Sequence, residues 1–406
     1  MTDLEDALTR TFTRAATRAP AAPPDFVRQV DMRYVRRRRG RSVAVAAAVT
    51  AVVAGSVLGT RVLSTTSPAP AVKPDTTVSQ AAPAVVEVAP PIERVWPRAV
   101  HEIPAGLPNG QAFNADLFLD DRTVVGRALR GGPALKPGIW SYDLDSGKFT
   151  SLATLTAPSV ASLVAGDGFL AWSTLNKRTV EIWTIPAKGG TPRKITSFLG
   201  VSSGEDTYHG IDMTIADGKV AWSPAKDGGV YQVPLSGGEP TLVPGTERHH
   251  LLRWPWAGYP THDVSGLSGG PAKEPPMAHL LNVRTGERSD AVTGPGEKGW
   301  TCGVTWCVTF QKARHRDGTG ERNLPGSVSL GGPVPYSGRF LLLYQQGKSG
   351  ERGASIYDLS TGRAAALVRS PARKGDTALP TIHLRDGLFS YKRGNKQVLV
   401  NLGAVK

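Results

Sequence analysis

The chain has 406 residues and a formal net charge of +14, long enough to bury a sizeable core and to carry more than one domain. The charge is dense in one place. Residues 1–41 hold ten Arg and no Lys against five acids, Arg61 adds one, and residues 62–406 hold 37 bases against 29 acids. An excess spread so thinly over a large domain is a soluble surface, which argues against a nucleic-acid partner.

In chain order, Thr2-Asp3-Leu4-Glu5 fits a capping box, in which a Thr oxygen accepts from an early helical N–H and Glu reaches back. Leu4, Leu8, Phe12 and Ala15 then recur at helical spacing. Pro20 and Pro24 break that helix, and Asp25 can cap a second one carrying Phe26, Val27, Val30 and Tyr34. Two short amphipathic helices cannot bury their apolar faces alone. Three roles stay open for residues 1–35: binding a cytoplasmic partner, lying on anionic lipid, or serving as an idle stub.

Residues 42–60 contain no charged side chain, and nineteen helical residues span roughly 28 Å, close to the hydrocarbon thickness of a bilayer. Arg36, Arg37, Arg38, Arg39 and Arg41 stand before this run, whereas Arg61 stands alone after it. The positive-inside rule therefore predicts a cytoplasmic N-terminus and an extracytoplasmic remainder. A cleaved signal peptide is the competing reading. The apolar run is longer than a signal-peptide core and 41 residues precede it, which favours an uncleaved signal-anchor. No Cys follows closely, so a lipoprotein anchor is excluded. Residues 62–92, rich in Pro, Ala, Ser and Thr, predict an extended stalk of about 90 Å at polyproline rise. The expected domains are thus a stub (1–41), a transmembrane helix (42–61), a stalk (62–92) and a β domain (93–406).

Beyond residue 93 short β-type runs alternate with Gly, Pro, Asn and Asp turns. Gly147, Gly190, Gly238, Gly286 and Gly362 follow similar strands, with Tyr142, Ile185, Val233, Leu281 and Tyr357 five residues before them. Leu144, Ala187, Leu235, Val283 and Leu359 stand three before, so alternate positions are apolar. Val398 and Val400 take the same places before Gly403. The glycines are 43, 48, 48 and 76 residues apart, the last gap holding two units. A second element recurs as Ala165-Gly166-Asp167-Gly168-Phe169-Leu170-Ala171-Trp172-Ser173 and Ile215-Ala216-Asp217-Gly218-Lys219-Val220-Ala221-Trp222-Ser223, two strands around an Asp-Gly hairpin. Residues 383–391 form a weaker third copy. A period of about 40–50 residues with several strands per unit means β-propeller blades, six or seven of them. The final unit lacks an outer strand, which the segment from Glu93 to Ile103 is expected to supply, closing the ring. Trp140, Trp172, Trp183 and Trp222 are expected to pack between blades.

Tyr357-Asp358-Leu359-Ser360-Thr361-Gly362, and nearly as well Tyr142-Asp143-Leu144-Asp145-Ser146-Gly147, resemble the strand-and-turn of TolB-like and WD-repeat-type propellers. The resemblance covers about three quarters of the chain and implies fold more than function, since propellers host many activities. Members of that superfamily mostly bind proteins or glycans. The whole layout also resembles actinobacterial single-span proteins in which a short helical N-terminus and an Arg run precede a secreted repeat domain. Some of these are anti-sigma factors, although the stub here lacks a His/Cys zinc motif.

No catalytic, cofactor-binding or metal-binding residue is assigned. Cys302 and Cys307, the two cysteines of the chain, are expected to form a disulfide in an oxidising compartment. Gly266-Leu267-Ser268-Gly269-Gly270 fits G-x-S-x-G by count, but Pro271, Pro275 and Pro276 forbid the helix that a nucleophile elbow needs. A prolyl-oligopeptidase-like enzyme fails because no α/β domain accompanies the repeats. Gly294-Pro295-Gly296-Glu297-Lys298-Gly299 reads as a turn before a strand, and Gly347-Lys348-Ser349 lacks the upstream Gly of a phosphate loop. His249, His250, His262 and His279 fall in one unit without ligand spacing and read as exposed loop residues, with His279 also in the aromatic column of Trp140, Trp183 and Tyr231. The leading expectation is a non-enzymatic, membrane-anchored propeller that binds an envelope protein or glycan. Two alternatives stay open: a transmembrane regulator whose stub holds a cytoplasmic partner, and a propeller enzyme with a site in the channel.

Overall fold

The computed structural model describes residues 89–128, 135–155, 160–176, 179–199, 212–224, 228–260, 274–294, 297, 299–328, 335–346, 352–370, 382–385 and 387–406. The expected stub, span, Arg run and nearly all of the stalk lie outside these residues, as do His262 and the 266–270 and 347–349 motifs. Among the described residues no helix is long and apolar enough to cross a membrane.

The strands form seven four-stranded antiparallel sheets, each a meander of consecutive strands except the last. They are the blades of a propeller. Blade 1 spans 113–154, blade 2 161–199, blade 3 212–242, blade 4 250–290, blade 5 301–323 and blade 6 327–370. Blade 7 takes its three inner strands from 383–401 and its outermost strand, Val100–Pro104, from the start of the domain. Val100 pairs with Val400 and Pro104 with Lys396. The ring is therefore closed by the N-terminal segment, as the missing strand required. The expected strand from Glu93 is shorter in the structure. Ile92–Val95 is one helical turn and Pro97–Ala99 a 3-10 turn. Pro97 cannot donate to a ladder, and Trp96 is drawn into the core against Phe340, edge to face at 6.5 Å.

Apolar alternation makes each sheet two-faced, and facing sheets share a core. Leu117, Val125 and Ile139 of blade 1 meet Leu170, Trp172 and Ile185 of blade 2. Val180, Ile182 and Ile195 of blade 2 meet Met213, Val220 and Trp222 of blade 3. Trp172 and Trp222 are fully buried, and Trp140 and Trp183 are partly buried at such seams. Burial of one such side chain stabilises by about 3 kcal/mol. The tight hairpins follow from Asp-Gly: Asp167 and Gly168 have φ of 49° and 76°, Asp217 and Gly218 of 56° and 70°. Two successive positive φ values match the twist of the flanking strands.

The turns between third and fourth strands fall into two kinds. In blades 1, 4 and 6 an Asp or Asn four residues before Gly caps the turn. Asp143 Oδ1 accepts from the Ser146 N–H, Asn282 Oδ1 from the Arg284 and Thr285 N–H groups, and Asp358 Oδ1 from the Ser360 N–H. Blades 2 and 3 use Gly-Gly instead, and the second glycine donates to the preceding blade: Gly190 to the Leu152 carbonyl and Gly238 to the Ile195 carbonyl. Blade 5 fills the 76-residue gap with strands of two to four residues. Cys302 and Cys307 face each other across its first two strands and are joined by a disulfide. Arg314 lies over the Trp300 ring at 4.0 Å and is held by Glu297 at 2.6 Å. These covalent and cationic contacts add to the apolar core that Trp306, Val308 and Ala313 of this small blade share with blade 6.

Candidate interaction face

Alternation of strand direction sorts the connections. Those joining first to second and third to fourth strands lie at one end of every blade, here the turn face. Those joining second to third strands, and one blade to the next, lie at the other end, the loop face.

Five large apolar side chains are exposed among the described residues: Leu199, Leu242, Val292, Phe310 and Tyr344. All five fall at the loop face. Leu199 ends the outer strand Arg193–Leu199 of blade 2, and Leu242 ends the outer strand Thr241–Leu242 of blade 3. Val292 follows the outer strand Arg288–Asp290 of blade 4. Phe310 joins the second and third strands of blade 5. Tyr344 pairs with Ser327, at the start of blade 6's innermost strand, and the Val328 N–H donates to the Phe310 carbonyl at 2.9 Å. Phe310 and Tyr344 thus flank the same short strand. Leu199 is 80 % exposed and Phe310 52 %, well beyond what packing within a blade would leave.

The turn face has no large apolar side chain exposed among the described residues, and polar contacts cross its seams. The Gly218 N–H of blade 3 donates to Asp167 Oδ2 of blade 2 at 2.8 Å. Asp217 of blade 3 pairs with Arg284 of blade 4 at 2.7 Å, and Arg122 with Asp145 within blade 1 at 2.6 Å.

Asp212 opens the innermost strand of blade 3 at the loop face and is exposed. The protein around it pushes its carboxyl up to about 6, an effect that the water reaching this exposed group screens in part.

Blade 4 corrects the sequence expectation for its histidines. His249 and His250 are buried. The His249 ring stands edge-on to the half-buried Tyr259 ring at 4.8 Å. His279 lies 4.8 Å from the same Tyr259 ring, half-buried, between Asp290 at 2.8 Å and Glu274 at 3.1 Å. Burial works to lower its pKa, but the two carboxylates more than reverse this and hold it above the ordinary value. These groups approach different ring nitrogens, and among the described residues no His, Cys, Asp and Glu cluster could hold a metal ion. Gly294 and Glu297 form the expected turn, with Glu297 Oε2 accepting from the Gly294 N–H, ahead of a strand. The loop-face apolar set has no sequence signature: its five members share neither a motif nor a period.

This chain is a seven-bladed β-propeller. No family model matches it, and no curated protein is similar enough to match. Solved structures that resemble it include TolB from Acinetobacter baumannii, at 12 % identity and TM-score 0.33, covering 70 % of this chain and 65 % of that one. Others are the nidogen–laminin complex (13 %, TM-score 0.28, 64 % and 80 %) and puromycin hydrolase (14 %, TM-score 0.31, 71 % and 43 %). The chain therefore spans less than two thirds of TolB's own length and under half of puromycin hydrolase's.

Proposed function

We propose that this chain is an interaction module: a propeller held outside the cytoplasm by the 42–60 span and the Pro/Ala-rich stalk, binding a protein of the envelope through its loop face. The observation that carries the reading is the segregation of exposed apolar side chains, all five on one face. Apolar side chains scattered over a whole surface are ordinary, and the confinement of these five to one end supports a contact surface there. Leu199, Leu242 and Val292 are aliphatic, which suits protein side chains better than the stacking surfaces that glycans use. The Cys302–Cys307 disulfide supports an oxidising compartment, in line with the arginines before the span.

The test is a pull-down from crosslinked cells with the full chain and with a chain lacking residues 1–35. Capture of the same envelope protein by both supports the module. A cytoplasmic protein captured by the full chain alone would make the stub the working part and the protein a transmembrane regulator. Asp212 favours a second reading, a polar site at the channel mouth. In that case Asp212→Asn would abolish a ligand-dependent signal that changes at the loop rim leave intact.

A further inference from the structure

Blade 4 holds a buried histidine that its fold leaves without polar partners. His249 is 6 % exposed, and neither ring nitrogen has a hydrogen-bond partner. Its backbone is tied down on both sides: its N–H donates to the Thr246 carbonyl at 2.8 Å, and its carbonyl accepts from the Gly229 N–H of blade 3 at 2.8 Å. The Thr246 hydroxyl accepts from the Val230 N–H and donates to the Val243 carbonyl. The 243–250 connection between blades 3 and 4 is therefore locked by short-range bonds around a ring that packs on Tyr259.

A neutral imidazole tolerates that pocket at the cost of its unmade hydrogen bonds, whereas an imidazolium does not. The charged groups around it make matters worse. Arg248, Arg288 and His250 oppose a further positive charge, and Glu247 alone favours one. Arg248 lies over the Tyr259 ring at 5.5 Å. Beyond Tyr259, Glu274 and Asp290 are engaged by His279.

We propose that His249 is an acid-sensitive latch: protonation expels its ring from beside Tyr259 and opens the 243–250 connection at the loop face. The sign follows from linkage. Burial lowers the His249 pKa, followed by Arg288. The unfolded chain therefore takes the proton first, and the stability that His249 supplies is present above about pH 6.5 and lost as pH falls below it toward the folded value. His279 has the opposite sign. Its pKa is raised, so its contribution is full below about pH 6.5 and is lost as pH rises through the folded value. In acid the Glu274–His279–Asp290 clamp is at its strongest while the His249 pocket fails, so opening is confined to the connection. The latch itself is independent of what the face binds. Its use as a regulator rests on the loop face being the contact surface.

The experiment is hydrogen exchange of the full chain, read on the segment containing Gly229, at about pH 7.5 and about pH 5.5 after correction for intrinsic rates. The expected result is opening in acid that is several-fold faster, up to the about tenfold limit that one histidine can supply over this range, lost in His249→Phe and retained in His279→Gln. The titration of the His249 ring by NMR in the unaltered chain gives a second readout, and its midpoint should coincide with the opening. Acid opening that persists in His249→Phe, or a His249 ring that titrates without opening, would overturn the latch. Neither result bears on whether the face binds a partner.

Discussion

Asp358 shows how one side chain fixes a blade corner. It is buried at the end of blade 6's third strand. Its two oxygens accept from Arg339 Nε and Nη2 at 2.7 and 2.6 Å, from the Ser360 N–H and hydroxyl, and from the Thr361 hydroxyl. Burial alone would raise its pKa, but Arg339, Thr361 and Ser360 more than reverse this and hold it well below the usual carboxylate range. Asp358→Ala strands the guanidinium. Arg339 keeps some contact with water, which puts the loss near the low end for a broken pair, about 3 kcal/mol by urea unfolding. The stability from this depressed pKa is present above the unfolded value of about 3.9 and is lost only as pH falls through the folded one. The gap between the native chain and Asp358→Asn should thus stay constant between about pH 7 and about pH 5. A gap that shrinks over that range would show that the carboxylate is not held this way. Gly166 is a second residue-scale constraint. A Cβ there would sit 2.4 Å from the Ile215 carbonyl oxygen of the neighbouring inner strand. Gly166→Ala must push two blades apart and should cost about 1–3 kcal/mol in the same measurement.

At the scale of elements, closure is the step most exposed to test. Residues 89–104 clasp the last two blades. The Ala366 N–H of blade 6 donates to the Pro90 carbonyl, Ile92 and Trp96 are buried, and Val100–Pro104 completes blade 7. Glu102 is gripped by Arg393 and Lys396. Removing residues 1–88 should leave a single cooperative thermal transition. Removing residues 1–104 bares the edge of Lys396–Asn401 and should give early, aggregating unfolding. Equal transitions for the two truncations would mean that the strand is dispensable. The need for this strand was legible in the sequence because the last unit ends one strand short. The hairpins at Asp167 and Asp217 were legible because the turn depends on two adjacent residues. Blade 5 was not, since its strands of two to four residues are too short to show alternation. The burial of His249 was hidden for a related reason: it depends on Tyr259, ten residues along and on another strand.

At the scale of the whole molecule the two ends of the propeller differ in where apolar side chains meet water. Both ends carry paired charges, and at the turn face these join blade 2 to blade 3 through Asp167 and blade 3 to blade 4 through Asp217. The loop face leaves apolar side chains in water on blades 2, 3, 5 and 6 and on the link between blades 4 and 5. No sequence pattern reveals this, because which end a residue occupies depends on the direction of its strand and on the closure of the ring. Side chains that do not support the fold can be changed without unfolding it. Leu199→Asp, Phe310→Asp and Tyr344→Asp, combined, should therefore shift the thermal midpoint little, since surface changes usually stay within about 0.5 kcal/mol each. The same change should weaken capture of a crosslinked partner at least about tenfold, equivalent to about 1.4 kcal/mol of contact. Lys188→Asp, in the exposed third-to-fourth turn of blade 2, changes charge at the opposite end and should leave capture intact. Loss of capture in both variants would point to a general charge effect. Intact capture in both would place the contact on the channel mouth or the N-terminal segment, since an apolar rim that tolerates three carboxylates is not where a partner sits.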